Sequence, residues 1–225
     1  MNEVIGNMQQ PGDEPPEMQG GRPAAGEDPI KREQILDGAF RIFLRDGFDA
    51  ASMNDITREA GVSKGTLYVY FKNKEDLFGA IIERQKLRIF GRLQEILAKN
   101  LPVAETLDEF GMLFATHLLS DKTIRGMRMV IAVIERMPGL VNQFMVAGPN
   151  SAPAMMASYL EKQMALGHLR DIEDPLMTSR QFSDLCLGGL FRPRLFGEMK
   201  SPPSDEVLKK NVESAIRLFL NTYGV

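Results

Sequence analysis

The sequence is poor in the residues that cross-link secreted proteins and bind metals. It has one cysteine, Cys186, two histidines and no tryptophan among its 225 residues. One cysteine excludes an internal disulfide, so we expect the reducing cytoplasm as the compartment of this protein. The histidines lack metal-ligand spacing, and no nucleophile–base pair or phosphate-binding glycine loop is evident. We therefore predict no metal, no cofactor, no catalytic residue and no enzyme activity.

Long apolar runs are also missing. A membrane-spanning helix needs about 18 or more apolar residues, and a signal peptide needs a basic segment followed by an apolar one. The sequence has neither pattern, so we expect no membrane partner. Apolar residues still make up 44% of the chain, which is enough to bury a sizeable core.

The chain lacks a net positive charge, since it carries −3. The charges are unevenly spread: residues 1–30 carry six acidic residues and one basic residue, whereas residues 31–74 carry eight basic and six acidic residues. A locally basic segment fits nucleic-acid binding even when the whole chain is acidic. Residues 1–28, rich in Pro, Gly, Gln and acidic residues, are predicted to form a disordered acidic tail.

Helix-capping residues recur after this tail, and glycines separate the helices that they begin. Helix starts are predicted at Asp28, Ser52, Ser63 and Asn73, and helix ends at Gly47 and Gly61. No strand alternation is convincing anywhere in the chain. The predicted fold class is all-α, with a helix-turn-helix unit over residues 29–74 and a larger helical bundle over residues 75–225.

The short helix predicted over residues 64–70 has little apolar surface to bury. We expect Leu67 and Phe71 to anchor it, which leaves the remaining side chains for a partner. A helix, a glycine turn and a second helix form a helix-turn-helix, and the major groove of B-DNA, about 12 Å wide, admits one α-helix. The predicted DNA contacts are Ser52, Ser63, Lys64, Gly65, Thr66, Tyr68, Val69, Tyr70 and Lys74.

These contacts are expected to differ in kind. Hydroxyl groups and Lys74 suit phosphates, Thr66 and Val69 suit a thymine methyl group, and Gly65 lets the backbone approach the bases. Lys64 suits either a guanine or a phosphate. The alternative for Tyr68 is an aromatic side chain of the core.

The stretch SMNDITREAGVSKGTLYVYFKNKEDLF, residues 52–78, resembles the DNA-binding signature of the TetR/AcrR family of bacterial transcriptional regulators. The preceding ILDGAFRIFLRDGFDAAS resembles the first helix and connector of that family. The resemblance implies a homodimer that binds a palindromic double-stranded DNA operator and a bundle that binds a small-molecule effector. Thr57 stands where the family usually has alanine, so it either crowds the helix joint or bonds to its own helix.

The predicted bundle is rich in methionine, whose flexible side chain suits an adaptable apolar cavity for a hydrophobic or aromatic effector. Ordinary core packing is the alternative for each methionine. His117 and Arg128 are candidates to orient a polar end of the effector. The predicted pocket residues are Met112, His117, Arg128, Met129, Phe144 and Met156.

The last two helices are predicted over roughly 175–196 and 204–222. By resemblance they form a four-helix dimer interface with their symmetry mates, and Gly188 and Gly189 inside the first helix suit a close helix crossing. Packing within one subunit is the alternative. The predicted interface residues are Phe182, Leu185, Gly188, Gly189, Ile216 and Phe219.

These patterns predict a DNA-binding protein, and the family resemblance implies that it is a ligand-responsive repressor. The alternatives are a DNA-binding regulator controlled by a protein partner and a helical enzyme. Cys186 is interpreted as a small apolar residue, with a redox sensor as the alternative.

Overall fold

The computed structural model describes residues 26–137, 139 and 151–225 of the protein. Apart from residues 26–28, the predicted acidic tail lies outside the described residues. Ten helices are considered below: α1 (Pro29–Ala50), α2 (Met53–Ala60), α3 (Lys64–Tyr70), α4 (Lys74–Ala98), α5 (Val103–Leu119), α6 (Asp121–Val133), α7 (Ala152–Ala165), α8 (Pro175–Leu187), α9 (Phe191–Phe196) and α10 (Asp205–Tyr223). In this part of the chain the strand-like pairing is limited to an isolated bridge between Leu169 and Gly224. The all-α prediction is confirmed.

The local capping signals set the helix starts. The Asp28 carboxylate accepts hydrogen bonds from the backbone N–H groups at the start of α1, and the Asn73 side chain accepts one from Asp76 at the start of α4. Gly47 has a φ of 80° and breaks the helical conformation, but helical residues resume after it, so α1 extends to Ala50 rather than ending at Gly47. Phe48 then packs its ring back against the body of the helix, with a ring centroid 5.5 Å from that of Phe43.

Two hydrophobic clusters organise the molecule. The head core joins α1, α2, α3, the first part of α4 as far as Ile82, and Val130 and Val133 of α6. The body core begins at Ile89 of α4 and joins it to α5, α7, α8 and α10. The boundary between the two cores therefore falls inside α4, which is a structural part of both.

Charged groups fix α4 against α1. The Arg84 guanidinium is buried, and its Nη1 donates to Glu33 Oε2 at 3.0 Å and to Asp37 Oδ1 at 2.8 Å. Arg136, just beyond α6, donates from Nη2 to both carboxylate oxygens of Asp49. Helix α6 is thereby attached to the helices of the head core as well as to those of the body core.

The C-terminal helices differ from the sequence prediction. Gly188 and Gly189 have φ values of 38° and 78°, so they end α8 instead of lying inside one long helix. The close crossing predicted for both glycines is present at Gly188, where a Cβ would clash with the Asn211 side chain of α10. At Gly189 a Cβ would meet none of the described residues within 4 Å. Asn211 Nδ2 also donates to the carbonyl of Cys186 at 2.6 Å.

Candidate nucleic-acid interface and ligand cavity

A glycine turn places α3 against the rest of the head. Gly61 adopts the left-handed conformation at φ 64°, which side chains disfavour. Its N–H donates to the Arg58 carbonyl, and the Val62 N–H donates to the Thr57 carbonyl. Thr57 Oγ1 donates to the Asn54 carbonyl at 2.7 Å, so the threonine bonds back to its own helix. Leu67 is fully buried and anchors α3 in the head core.

The opposite side of α3 faces solvent. Tyr68 is 45% exposed and Val69 is 52% exposed, which excludes the alternative of Tyr68 as a core residue. Lys64 is also exposed, with its ammonium 6.0 Å from the centroid of the Tyr68 ring. Gly65 is exposed between them, and Thr66 is half-buried. Most of the residues predicted to approach the bases therefore share one accessible surface, which we call the α3 face: Lys64, Gly65, Thr66, Tyr68 and Val69.

Two of the predicted phosphate contacts, Lys74 and Tyr70, form hydrogen bonds within the chain. The Lys74 ammonium donates to the carbonyls of Phe48, Asp49 and Ala51 at 2.7, 3.2 and 3.0 Å, and lies 4.5 Å from the centroid of the Phe48 ring. All three of its protons have acceptors, so Lys74 braces the segment before α2 instead of projecting towards a partner.

Tyr70 also differs from its predicted outward orientation. Its ring is partly buried against the head core, and its hydroxyl donates to the Asp28 carbonyl at 3.2 Å. The bond ties the end of α3 to the start of α1.

The two predicted serine contacts also cap helices. Ser63 Oγ accepts from the Thr66 N–H at 3.0 Å and lies 2.8 Å from Thr66 Oγ1. Ser52 Oγ accepts from the Asp55 N–H and donates to the Asp55 carboxylate. That hydrogen bond, with Arg58 close by, lowers the pKa of Asp55. Both serines remain at the solvent-facing starts of their helices.

A cavity of about 210 Å³ lies where head and body meet, and we call it the junction cavity. Its walls come from α1, α4, α5 and α6 and include Phe40, Phe78, Ile89, Phe114 and Met127. Of the predicted pocket residues, His117 and Met129 line it. Gln85 and Lys122, which no sequence pattern indicated, also line the cavity.

The other predicted pocket residues lie elsewhere. Met156 is fully buried in the body core, and Met112 packs at its edge. Arg128 donates from Nε to the Leu195 carbonyl at 2.8 Å and from Nη2 to the Arg194 carbonyl at 2.7 Å, so it clamps α9 onto α6. None of the three lines the junction cavity, because methionine content and charge do not indicate which side of a helix faces a cavity. Phe144 lies outside the described residues.

Two of the predicted dimer contacts are core residues. Phe182 and Phe219 are 1% and 4% exposed, and their rings meet edge to face with centroids 5.5 Å apart. They stabilise one subunit and cannot reach a second one. Ile216 is half-buried beside the body core.

Other apolar side chains of the same two helices are exposed. Leu185 is 41% exposed. Met177 on α8 and Val207 and Leu218 on α10, which are outside the predicted interface set, are 51%, 43% and 51% exposed. Val207 and Leu218 are eleven residues apart, about three helical turns, and so lie on one face of α10. We define the α8–α10 face by four of these exposed residues: Met177, Leu185, Val207 and Leu218.

Cys186 is fully buried in the body core, and this burial, with Asp108 nearby, raises the pKa of its thiol to about 12. A protonated, inaccessible thiol reacts slowly, which favours the apolar interpretation. Among residues 26–137 and 151–225, no three His, Cys, Asp or Glu side chains are grouped to hold a metal. In the same part of the chain, no helix combines the length and apolarity of a membrane span.

Known protein families match both parts of the molecule. Residues 105–225 match the C-terminal domain of AefR-like transcriptional repressors, and residues 35–81 match the tetR family of bacterial regulatory proteins. The HTH-type transcriptional regulator AcrR of Shigella flexneri is 27% identical over 202 residues, covering 85% of this chain and 88% of AcrR. The fatty acid metabolism regulator protein of Bacillus subtilis (strain 168) is 30% identical over 98 residues, covering 41% of this chain and only 50% of that protein.

Solved structures share the architecture. A TetR-family transcriptional regulator from Mesorhizobium loti MAFF303099 superposes with a TM-score of 0.79 at 24% identity, covering 87% of this chain and 98% of the other. The flavonoid-responsive regulator FrrA superposes with a TM-score of 0.66 at 29% identity, covering 87% and 97%. The matching domain spans more than half of the chain, and all of these relatives are regulators. The chain therefore belongs to the TetR family of DNA-binding helix-turn-helix transcriptional regulators.

Proposed function

We propose that this protein is a dimeric repressor that binds a palindromic operator through the α3 face and is released by a small effector in the junction cavity. The observation that carries the DNA-binding part is Gly65. Among the described residues, a Cβ at Gly65 would meet only Ser63 Oγ, at an ordinary 3.8 Å, so packing within this part of the chain does not require glycine there. Glycine in a helix costs up to about 1 kcal/mol relative to alanine, and a partner that approaches the backbone closely would explain its presence.

The neighbours of Gly65 suit that partner. Lys64 carries a cation and donors, and Tyr68 carries an exposed hydroxyl on a rigid ring. Both can donate to phosphate oxygens, whereas Thr66 and Val69 offer methyl groups that fit thymine. The buried Leu67 holds this surface in place, because it fixes α3 in the head core.

Two such faces in a symmetric dimer would meet successive major grooves. Reading helices in a dimer bind half-sites about 34 Å apart, or one helical turn. The α8–α10 face supports dimerisation, because it presents exposed apolar side chains on two adjacent helices. Such faces mark protein interfaces more often than single exposed residues do.

The position of the junction cavity supports control by an effector. Helix α6 forms one wall of the cavity, and it also reaches the head core through Val130 and Val133 and through the bond between Arg136 and Asp49. A ligand that moves α6 would therefore change the position of the head and the spacing between the two α3 faces. Operator affinity would fall because the half-site spacing is fixed by the DNA.

Selection of bound sequences from a random pool of duplex DNA tests the DNA-binding part. We expect an inverted repeat whose half-sites lie about one helical turn apart. A family of selected sequences without two-fold symmetry would contradict the dimer, and recovery of no preferred sequence would contradict specific binding. No effector is needed in this experiment.

Gly65→Ala should raise the stability of the protein and lower its affinity for DNA. We expect the free energy of unfolding to rise by up to about 1 kcal/mol, because alanine favours the helix. Affinity for the selected operator should fall about tenfold, since the new methyl group would hold the helix away from the bases and cost at least one base contact of about 1–3 kcal/mol. Urea unfolding and fluorescence anisotropy measure the two effects.

Gly91→Ala is the matched control. Gly91 is an exposed glycine of α4, and a Cβ there would meet nothing within 4 Å. It should stabilise the protein without changing operator affinity. Equal operator binding by the wild type and Gly65→Ala would show that DNA does not approach Gly65 closely.

A further inference from the structure

The charged side chains that line the junction cavity are all positive. Lys86 and Lys122 are among its lining residues, and no Asp or Glu of the described chain is among them. His117 is half-buried there, and burial, with Lys122 and Arg92 nearby, lowers its pKa. A neutral imidazole at pH 7 still has one N–H to donate. The cavity therefore offers cations and donors but no negative charge.

Lys122 lines the cavity and is exposed, and among the described residues no carboxylate forms an ion pair with it. Its ammonium lies 4.5 Å from the centroid of the Phe40 ring. Burial lowers the pKa of Lys122, and Arg88 and Arg84 lower it further, while Asp37 raises it. Asp37 is already hydrogen-bonded to Arg84 at 2.8 Å. An anion near Lys122 would relieve repulsion among these cations.

Gln85 gives a second, independent indication that the cavity binds a hydrogen-bond acceptor. Its Nε2 atom is buried and has no hydrogen-bond partner in the part of the chain that the structure describes. A buried donor without an acceptor is destabilising, and the surrounding wall is largely aliphatic and aromatic. An acceptor atom on a bound ligand would satisfy this amide.

We propose that the junction cavity selects an effector with a compact apolar body and a carboxylate, which pairs with Lys122 and accepts a hydrogen bond from Gln85. This inference rests on the effector-controlled regulator proposed above and names the charge and size of its effector. A cavity of about 150 Å³ holds benzene, so about 210 Å³ suits one aromatic ring with a short chain. Neutral alcohols lack the charge, and amines would add a cation to a positive site.

The same contact links the effector to the head. Lys122 is on α6, and the Phe40 ring beneath its ammonium is on α1. A carboxylate that draws the ammonium into the cavity competes with this cation–π contact. The charge of the effector would thereby weaken one of the links that position α1 relative to α6.

Three probes of similar shape test the inference: phenylpropanoate, phenylpropanol and phenylpropylamine. Each is titrated by calorimetry into the full chain at pH 7 without DNA. We expect phenylpropanoate to bind about tenfold more tightly than the alcohol, as a charge-assisted hydrogen bond would give, and the amine to bind most weakly. Equal or tighter binding of the alcohol or amine would overturn the inference, and so would the absence of saturable binding by all three.

Two variants assign the preference to Lys122. Lys122→Gln should reduce the advantage of phenylpropanoate over the alcohol to less than about threefold. Arg125→Gln removes the same charge from an exposed residue of α6 that does not line the cavity, and it should keep the full preference. Equal losses in both variants would point to general charge and overturn the assignment.

The ligand titration and the operator selection test the carboxylate site and the operator independently. The titration uses no DNA, and the operator selection uses no ligand. Failure of the titration therefore leaves the operator proposal standing, whereas failure of the selection leaves the carboxylate site standing.

Discussion

Arg194→Ala is expected to lower the free energy of unfolding by about 2–4 kcal/mol, because it removes a large buried side chain and the donors of buried carbonyl groups. Its ionic partner Asp121 is 61% exposed, so the substitution leaves no buried charge behind. The Arg194 side chain is 2% exposed. Its Nε donates to the Leu119 carbonyl at 3.0 Å, Nη1 to the Met199 carbonyl at 2.9 Å, and Nη2 to Asp121 Oδ1 at 2.7 Å. The truncation would leave carbonyl groups without donors and open a cavity between α9 and the junction of α5 with α6.

Urea unfolding followed by circular dichroism measures this effect, at one fixed protein concentration because the proposed dimer would make stability depend on concentration. Arg192→Ala is the control, since Arg192 is an exposed residue of the same helix and should change stability by less than about 0.5 kcal/mol. A loss below about 1 kcal/mol for Arg194→Ala would mean that the network does not hold α9.

The buried Arg194 shows where sequence reasoning fails in this protein. Its contacts reach residues more than seventy positions away in the chain, at Leu119 and Asp121. Arginine is seldom buried, so a sequence pattern favours a surface position for it. The glycines before it, Gly188 and Gly189, were available as a stop signal but were interpreted as small residues inside a helix.

The head was more predictable because its signals are local. Ser52, Ser63 and Asn73 cap helices within three residues of themselves, and Gly61 sets a turn by its own conformation. Lys74 was misjudged because its acceptors, the carbonyls from Phe48 to Ala51, lie more than twenty residues away. Such long-range bonds leave no periodic pattern in the sequence.

The junction cavity could not be predicted from the sequence, for a different reason. Its walls combine α1 and α4 with α5 and α6, so no single segment contains it. Methionine content suggested both Met129 and Met156 as cavity residues. Met129 lines the junction cavity, whereas Met156 is buried in the body core. Gln85 and Lys122 are ordinary polar residues in sequence, and only their position beside an apolar cavity makes them candidates for effector binding.

A second large effect is expected at the α8–α10 face. The double variant Leu185→Glu with Leu218→Glu should convert a dimer into monomers, because two-fold symmetry places four new carboxylates at one interface. Both leucines are exposed in the single subunit, at 41% and 51%, so each substitution should cost the fold little. Operator affinity should fall by about 10²–10⁴, the usual gain from joining two binding units.

Sedimentation velocity and operator titration test this variant against Leu87→Glu with Leu166→Glu. The control makes the same chemical change at two exposed leucines, 60% and 55% exposed, on α4 and at the end of α7. It should remain dimeric and bind the operator like the wild type.

Phe182 and Phe219 are unsuitable for this test because truncating either would damage the body core and lower stability whether or not a dimer forms. A Leu185/Leu218 variant that sediments as a dimer would exclude the α8–α10 face as the interface. A monomer that keeps full operator affinity would instead show that one head suffices, and it would contradict the proposed palindromic operator.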